Sequence, residues 1–153
     1  MPLFLFSIFG VFCADQVTKI LVRSRMALGD EIPLLPVFSI THVDNTGIAF
    51  GMFQERNVFF IALGICVTAI LIYYAVTLLR TDRGSAIAMA AILGGASGNI
   101  VDRIVYGRVT DFLDFHAGMY HWPVFNVADS AICLGAFFVA LHTYLQWRAG
   151  AHR

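Results

Sequence analysis

The chain has 153 residues, of which 59% are hydrophobic and 13% are charged, and its formal net charge is zero. Soluble domains carry about 25% charged residues, so this composition, with a mean hydropathy of +0.77, favours a protein that is solvated by lipid. No run or stripe of Lys and Arg is present that would neutralise phosphates, which argues against a nucleic-acid partner.

Four apolar segments are each long enough to cross a bilayer as a helix. They cover residues 3–23, 57–79, 85–104 and 125–147. The first lacks the basic start and the small-x-small cleavage site of a signal peptide, so we interpret it as a retained span. The third is rich in Gly, Ala and Ser, which let helices approach closely, and we expect it to pack inside the bundle. The predicted fold is an all-α membrane protein, a bundle of four transmembrane helices that forms one integral membrane domain over residues 1–153.

The connections between the spans differ in length and character. Residues 80–84 form a short polar turn, and the two long connections cover residues 24–56 and 105–124. Apolar and polar residues alternate in 38–43, which predicts a strand and hence a small β-sheet outside the membrane. Four alternating spans place both long connections on one side and both termini on the other. The Lys and Arg count does not place the termini inside, so charge alone leaves the orientation open.

Polar residues gather at the membrane face that carries the long connections. They are Asp15, Lys19, Asn45, Asn99, Asp102, Arg103, Asp111, Asp114, Asn126 and Asp129. Charged groups in a membrane usually face a bundle interior or a water-filled cavity and mark function. Structural interpretations also exist. Asp15 and Lys19 have the i,i+4 spacing of a helical pair, Asp102 and Arg103 are suited to the end of a span, and Asn126 is suited to a helix N-cap.

Asp129 is the hardest of these residues to explain structurally, because it lies about one turn inside the fourth span. A helix dipole favours a carboxylate there by only about 0.3–1 kcal/mol, whereas insertion at a span centre costs about 2.5–3.5 kcal/mol. A partner or a reaction is the better explanation. Two aspartates within hydrogen-bond reach share one proton and can hydrolyse a peptide by general acid–base catalysis. Spacing alone leaves Asp102, Asp111 and Asp114 open as the partner of Asp129.

Other hydrolytic chemistries lack their residues in this sequence. Cys13, Cys66 and Cys133 each lie in an apolar segment, and the five histidines are scattered without metal-ligand spacing. A GxSxG elbow is also missing. The sequence therefore predicts neither a metal nor a cofactor.

Two alternatives to hydrolysis remain. A proton-coupled transporter or channel subunit would also use intramembrane carboxylates, but the polar residues form no path across the membrane. A non-catalytic membrane scaffold could use them to join helices, but this does not explain why two connections and two spans converge on one place.

Five short blocks occur in order along almost the whole chain. They are DQVTK (15–19), NTGIAFG (45–51), GGASGNIVDR (94–103), VTDFLDF (109–115) and FNVADSAI (125–132). Together they resemble the bacterial lipoprotein signal peptidases, the type II signal peptidases. Each block alone is weakly specific, whereas all five in this order are strongly specific. Ser97 replaces a leucine usual in the family and Ile48 a common alanine, and neither position is expected to take part in chemistry.

The resemblance implies an aspartyl endopeptidase that removes the signal peptide from a prolipoprotein, just before the diacylglyceryl-modified cysteine. It assigns Asp111 and Asp129 as the catalytic pair, and no cofactor. The positions implied to bind substrate or hold the pair are Asn45, Asn99, Arg103, Asn126 and Ala128. The resemblance implies a mainly structural role for Asp15, and we also expect Lys19 and Asp102 to be structural.

The resemblance also implies a location and partners. The expected location is the bacterial cytoplasmic membrane, with both termini cytoplasmic and the active site at the periplasmic face. A small β-cradle and a mobile arm or short interfacial helix are expected on that face, the arm coming from residues 24–56. The implied partners are the lipidated prolipoprotein and membrane lipid, and we expect a monomer.

Overall fold

Four long helices dominate the computed structural model, which describes residues 1–47 and 57–150. They are α1 (Pro2–Arg25), α2 (Asn57–Thr81), α3 (Arg83–Tyr106) and α4 (Val127–Gly150). Each has 24 or 25 residues and is apolar enough to cross a membrane. At about 1.5 Å per residue, such a helix exceeds the roughly 30 Å of a hydrocarbon core. The predicted bundle of four transmembrane helices is confirmed.

Helix α3 occupies the interior of the bundle and packs against α1, α2 and α4. In its most apolar stretch 44% of the residues are buried, against 17% or less in the other three helices. Small residues make this packing possible. A Cβ atom on Gly95 would lie 2.5 Å from the carbonyl oxygen of Ala128, and one on Gly135 would lie 2.7 Å from that of Ala88. The backbones of α3 and α4 can approach this closely only because these positions are glycine.

Local signals in the sequence determine where the helices begin and end. Asp82 caps α3, because its carboxylate accepts bonds from the Ser85 backbone N–H at 3.1 Å and from the Ser85 hydroxyl at 2.6 Å. Helix α3 ends at Tyr106 and is followed by its C-cap Gly107, whose φ of +74° lies in the left-handed region that glycine tolerates. Helix α4 begins at Val127, two residues after the predicted start, because Asn126 is its N-cap.

A four-stranded antiparallel sheet lies outside the helices, in the order β1-β2-β3-β4. Its strands are β1 (Glu31–Leu35), β2 (Phe38–Asn45), β3 (Val109–Ala117) and β4 (Tyr120–His121). The alternating residues 38–43 lie in β2, as predicted. Strand β3 lies in the connection 105–124, for which no strand was predicted. Its sequence does not alternate between apolar and polar residues, because most of its side chains are buried. Residues 48–56, which belong to the connection 24–56 from which a mobile arm is predicted, lie outside the described residues.

The pairing of β2 with β3 brings distant parts of the chain together. Asn45 lies opposite Val109 and Val43 lies opposite Asp111, with an irregularity between Ile40 and Val43. A buried cluster of Val22, Met26 and Phe112 packs the end of α1 against β3. The sheet is thereby fixed to the bundle at the end of α1 and α3 where the polar residues gather.

Candidate active site

Lys19 forms the centre of a buried polar cluster between α1 and α3. Its side chain is fully buried, and its ammonium lies 2.9 Å from Asp15 Oδ2, 3.0 Å from Asp102 Oδ2 and 2.8 Å from Asn99 Oδ1. An ammonium has three N–H groups, so each has an acceptor. Arg23 Nη1 lies 3.5 Å from Asp102 Oδ1, and two acids therefore balance two bases. Burial of such charges is tolerable only because they are paired and hydrogen-bonded.

Asp129 lies in the first turn of α4, where it and the N-cap residue bond to each other. The backbone N–H of Asp129 donates to Asn126 Oδ1 at 2.9 Å, and the backbone N–H of Asn126 lies 3.4 Å from Asp129 Oδ2. This reciprocal arrangement is that of a capping box. Asn99 Nδ2 donates to the other carboxylate oxygen, Oδ1, at 2.8 Å. Both oxygens of Asp129 are therefore held by donors.

Asp111 lies on β3 and is 2% exposed. Its Oδ2 accepts a bond from Asn45 Nδ2 at 2.8 Å, and its Oδ1 accepts one from Asn126 Nδ2 at 2.6 Å. Burial, followed by the nearby charge of Asp129, raises the pKa of Asp111 from its ordinary value to about 7. The two asparagine bonds offset this rise only in part. Near neutral pH, Asp111 therefore holds a proton in a large fraction of molecules.

The side-chain amides of Asn45 and Asn126 are oriented by backbone donors. Asn45 Oδ1 accepts the Gly47 backbone N–H at 3.0 Å, and Asn126 Oδ1 accepts that of Asp129. An amide oxygen that faces an N–H group turns its NH₂ group away. In both residues the NH₂ group therefore points to Asp111. Helix capping and strand pairing thus supply the hydrogen bonds that hold this carboxyl.

Asn99 is oriented by a charged donor instead. Its Oδ1 accepts bonds from the Lys19 ammonium at 2.8 Å and from Asn126 Nδ2 at 3.2 Å. Because an ammonium can only donate, the oxygen must face it, and Nδ2 must face Asp129. Asn126 therefore touches Asn99 and Asp111 at once, and a continuous chain of hydrogen bonds joins the two aspartates.

Asp111 and Asp129 line one cavity of about 300 Å³. Asn45, Asn99 and Arg103 also line it. Its remaining walls include the segment 122–125, which runs beside β3, and a cysteine of α4. A peptide in this cavity would lie against apolar walls and meet both carboxyl groups.

The other two aspartates considered as partners of Asp129 lie elsewhere. Asp102 is fully buried in the ion pairs with α1, and Asp114 accepts a bond from His121 Nδ1 at 3.0 Å. Neither of them lines the cavity, whereas Asp111 does. Of the three aspartates that spacing left open, the structure brings Asp111 to the cavity of Asp129.

The two remaining predicted site residues, Arg103 and Ala128, connect the helices to neighbouring parts of the structure. Arg103 Nη2 donates to the carbonyl oxygen of Gly47 at 3.1 Å, which ties α3 to the segment after Asn45. Ala128 is fully buried, and its backbone N–H donates to Asp15 Oδ1 at 2.9 Å. Its side chain does not line the cavity, so it contributes to the packing of α4 against α1 and α3.

Three residues that the sequence did not single out also take part. Gln16 Nε2 lies 3.1 Å from Asp15 Oδ2 and 3.3 Å from Asp102 Oδ1, although its position inside DQVTK gave no reason to select it. Thr110 donates its backbone N–H to Asp102 Oδ2 at 3.3 Å. Cys133 lines the cavity one turn after the catalytic candidate on α4, and this i+4 spacing could have identified it. In residues 1–47 and 57–150, no group of three His, Cys, Asp or Glu residues is placed to hold a metal ion.

The fold and the site define a class of multi-spanning membrane proteins that hold an acid-containing cavity at one end of the helix bundle. A family model described as signal peptidase (SPase) II matches residues 7–145. The chain belongs to this family of proteases.

Relatives and solved structures agree with this assignment. The chain is 42% identical over 137 residues to a lipoprotein signal peptidase of Vibrio cholerae serotype O1, covering 86% of this chain and 80% of the relative. It is 45% identical over 133 residues to one of Burkholderia mallei, covering 82% and 78%. The chain also superposes on a solved structure of a bacterial membrane enzyme, determined by the in meso method at 2.3 Å resolution, with a TM-score of 0.84. The sequence identity is 28%, and the match covers 94% of this chain and 88% of that one. A second such structure, at 1.9 Å, gives a TM-score of 0.81, also at 28% identity, and covers 94% and 93%.

Proposed function

We propose that the chain is an aspartyl endopeptidase that cleaves the signal peptide from diacylglyceryl-modified prolipoproteins, on the N-terminal side of the lipidated cysteine. The observation that carries this proposal is that Asp111 and Asp129 line one cavity and are joined by a chain of hydrogen bonds. Membership of the signal peptidase II family supports the substrate class, since its relatives are lipoprotein signal peptidases.

The first chemical step is attack by water on the scissile carbonyl. The ionised aspartate takes a proton from a water molecule in the cavity while the protonated one donates its proton to the carbonyl oxygen. A neutral gem-diol forms, and the two carboxyl groups have exchanged roles. The pKa of Asp111, raised to about 7 by burial and by Asp129, favours a pair that holds one proton between its members near neutral pH.

The second step breaks the C–N bond. The aspartate that accepted the water proton gives it to the leaving amide nitrogen, and the other takes a proton from a hydroxyl of the gem-diol. The pair returns to its starting state without a metal or a covalent intermediate. Asn45, Asn99 and Asn126 hold the carboxyl oxygens in place by donating to them, so little reorganisation is needed during the two proton transfers.

The substrate determines where such a site must lie. A prolipoprotein signal peptide is itself apolar and membrane-inserted, and its lipid is attached next to the cleaved bond. The bond therefore has to meet water at a bilayer surface. The cavity lies at one end of the bundle, where β3 meets the starts and ends of helices. We place this end at the periplasmic face of the bacterial cytoplasmic membrane, with both termini cytoplasmic and the enzyme monomeric.

The test is cleavage of a diacylglyceryl-modified prolipoprotein by purified Asp111→Asn and Asp129→Asn variants. Each substitution keeps the side-chain shape but removes the ability to exchange a proton, and we expect a rate at least about 10³-fold below wild type. The matched control is Asp114→Asn. This aspartate lies on the same strand and is equally buried, but it contacts His121 instead of the cavity.

The expected result is that uncut, lipidated precursor accumulates with the two dyad variants while Asp114→Asn retains most of the activity. Near-wild-type processing by either dyad variant would disprove the aspartyl mechanism. Equal loss of activity in all three variants would show that buried aspartates at this end of the bundle are needed for folding and not specifically for proton transfer. Mass spectrometry of the product then locates the cut relative to the lipidated cysteine.

A further inference from the structure

We propose that Lys19 is a positioning residue for the hydrolysis: its ammonium group fixes the orientation of the Asn99 amide and thereby directs an N–H group onto Asp129. This inference rests on the proposed aspartyl mechanism. It assigns a role in the proton transfers to Lys19, which its i,i+4 spacing from Asp15 predicts to be structural. The residue touches neither substrate nor catalytic carboxyl directly and acts through Asn99.

The first argument is geometric. The three N–H groups of Lys19 are fully used by Asp15, Asp102 and Asn99 at 2.9, 3.0 and 2.8 Å. Two of these acceptors are carboxylates and would already satisfy an ion pair. The third is a neutral amide, which a purely structural ion pair does not need. The third bond gives Asn99 Oδ1 a partner that can only donate, and so excludes the flipped amide.

The second argument concerns what a flipped amide would do. Asn99 Nδ2 lies 2.8 Å from Asp129 Oδ1. If the amide turned over, its oxygen would face the Asp129 carboxylate, and two acceptors would repel each other. Asn126 Nδ2 also contacts Asn99 Oδ1, but at 3.2 Å, and it is shared with the shorter 2.6 Å bond to Asp111. Lys19 is therefore the stronger of the two groups that fix this amide.

The third argument is electrostatic. Among the described residues, the charged groups around the two aspartates are Asp15, Lys19 and Arg23 on α1, Asp102 and Arg103 on α3, and Asp111 and Asp129 themselves. The positive charge of Lys19 lowers the pKa of Asp111 and so opposes part of the rise that burial causes. Removal of this charge would make the shared proton harder to lose.

The obvious variant, Lys19→Met, leaves two buried carboxylates without their base and is not expected to fold well. A charge-balanced pair avoids this. In Lys19→Met/Asp102→Asn one acid and one base are removed together, so that Asp15 and Arg23 remain. Its reference is Asp102→Asn alone, which retains the ammonium and its bond to Asn99. Each protein is compared at equal amounts of folded monomer, measured by gel filtration and thermal midpoint.

The measurement is a double-mutant cycle in kcat and KM with a lipidated lipobox peptide. Against Asp102→Asn, loss of Lys19 is expected to lower kcat by about ten-fold to a hundred-fold, the range for a hydrogen bond to a charged group, with KM changed less than about three-fold. When Asn99→Leu is added to both proteins of this comparison, loss of Lys19 is expected to have little further effect on kcat at the pH optimum, because the amide that Lys19 orients is already gone. The alkaline limb of the pH profile, set by loss of the shared proton, moves to higher pH when Lys19 is removed.

A purely structural lysine gives a different result. Loss of Lys19 would then lower the rate equally in both backgrounds and leave the pH profile in place, and either finding overturns the inference. Failure of the charge-balanced pair to fold would also assign Lys19 to structure alone. These outcomes differ from failure of the proposed function, in which Asp111→Asn or Asp129→Asn would still cleave substrate.

Discussion

The raised pKa of Asp111 predicts how the stability of the protein depends on pH. The perturbation is Asp111→Asn, which replaces a carboxyl that is protonated up to about pH 7 by a group that does not titrate. Asparagine also places an NH₂ group against the donors Asn45 and Asn126, which costs stability. That cost is the same at every pH, so only the slope of stability against pH reports on the proton.

The sign follows from where the proton is held. The pKa of Asp111 is about 7 in the folded protein and near its ordinary value of 3.8 in the unfolded chain. Between these values the folded state binds a proton that the unfolded state has lost, so stability is full at low pH and falls as pH rises to about 7. At about 1.4 kcal/mol per unit over roughly three units, the total loss is about 4 kcal/mol, of which about 2 kcal/mol falls between pH 5 and pH 7.

The assay is unfolding of the purified protein in detergent from about pH 5 to about pH 8, with wild type and Asp111→Asn measured side by side. Groups that titrate independently of Asp111 are common to both proteins, so their contributions cancel in the difference. We expect the wild-type midpoint to fall towards that of the variant as pH rises. Parallel curves would refute the reasoning, because they would mean that Asp111 is already ionised in the folded protein at pH 5.

Three further predictions concern other parts of the molecule. Gly98→Ala is expected to cost about 1–3 kcal/mol of stability and much of the activity, because the new Cβ would clash with the carboxylate of Asp15. The thermal midpoint measures the loss of stability, and the cleavage rate measures the loss of activity. In variants that retain a single cysteine, alkylation of Cys133 should block cleavage, and substrate peptide should slow the alkylation. Alkylation of Cys66, which is exposed on α2 away from the cavity, should leave the cleavage rate unchanged. Equal inhibition by alkylation at both cysteines would contradict the placement of the cavity. Asp82→Ala should lower stability by about 1 kcal/mol through loss of the α3 cap, while kcat stays within about two-fold of wild type. A large loss of kcat would show that the two ends of the bundle are coupled.

One set of interactions serves both folding and the proposed chemistry. Asn126 caps α4 through its side-chain oxygen and holds Asp111 through its side-chain nitrogen. Asp15 pairs with Lys19 and also accepts the backbone N–H of Ala128 at the start of α4. The geometry of the proposed catalytic residues on α4 and β3 is therefore supported by bonds that also join the helices, so substitutions in this network are expected to change stability and rate together.

Composition and periodicity determined much of this protein without any tertiary information. Four predominantly apolar stretches of about twenty residues each form helices in lipid, because the backbone there has no hydrogen-bond partners outside the segment itself. The alternation in residues 38–43 was enough to predict β2. The i,i+4 spacing of Asp15 and Lys19 predicted their ion pair, and the position of Asn126 before the apolar run predicted a cap. All of these are local properties, set within a few residues along the chain.

Residue spacing did not decide which carboxyl shares a cavity with Asp129; the family resemblance implied Asp111, and the tertiary structure gives the physical reason. Asp102, Asp111 and Asp114 are equivalent by spacing, but pairing of β2 with β3 sends Asp114 towards His121, while the ion pairs with α1 engage Asp102. Asp111 alone of the three faces the cavity. Strand β3 was not predicted, because it is buried on both faces and its sequence shows no alternation of apolar and polar residues. A site built from contacts between residues far apart in the chain depends on register and packing, which local sequence does not encode.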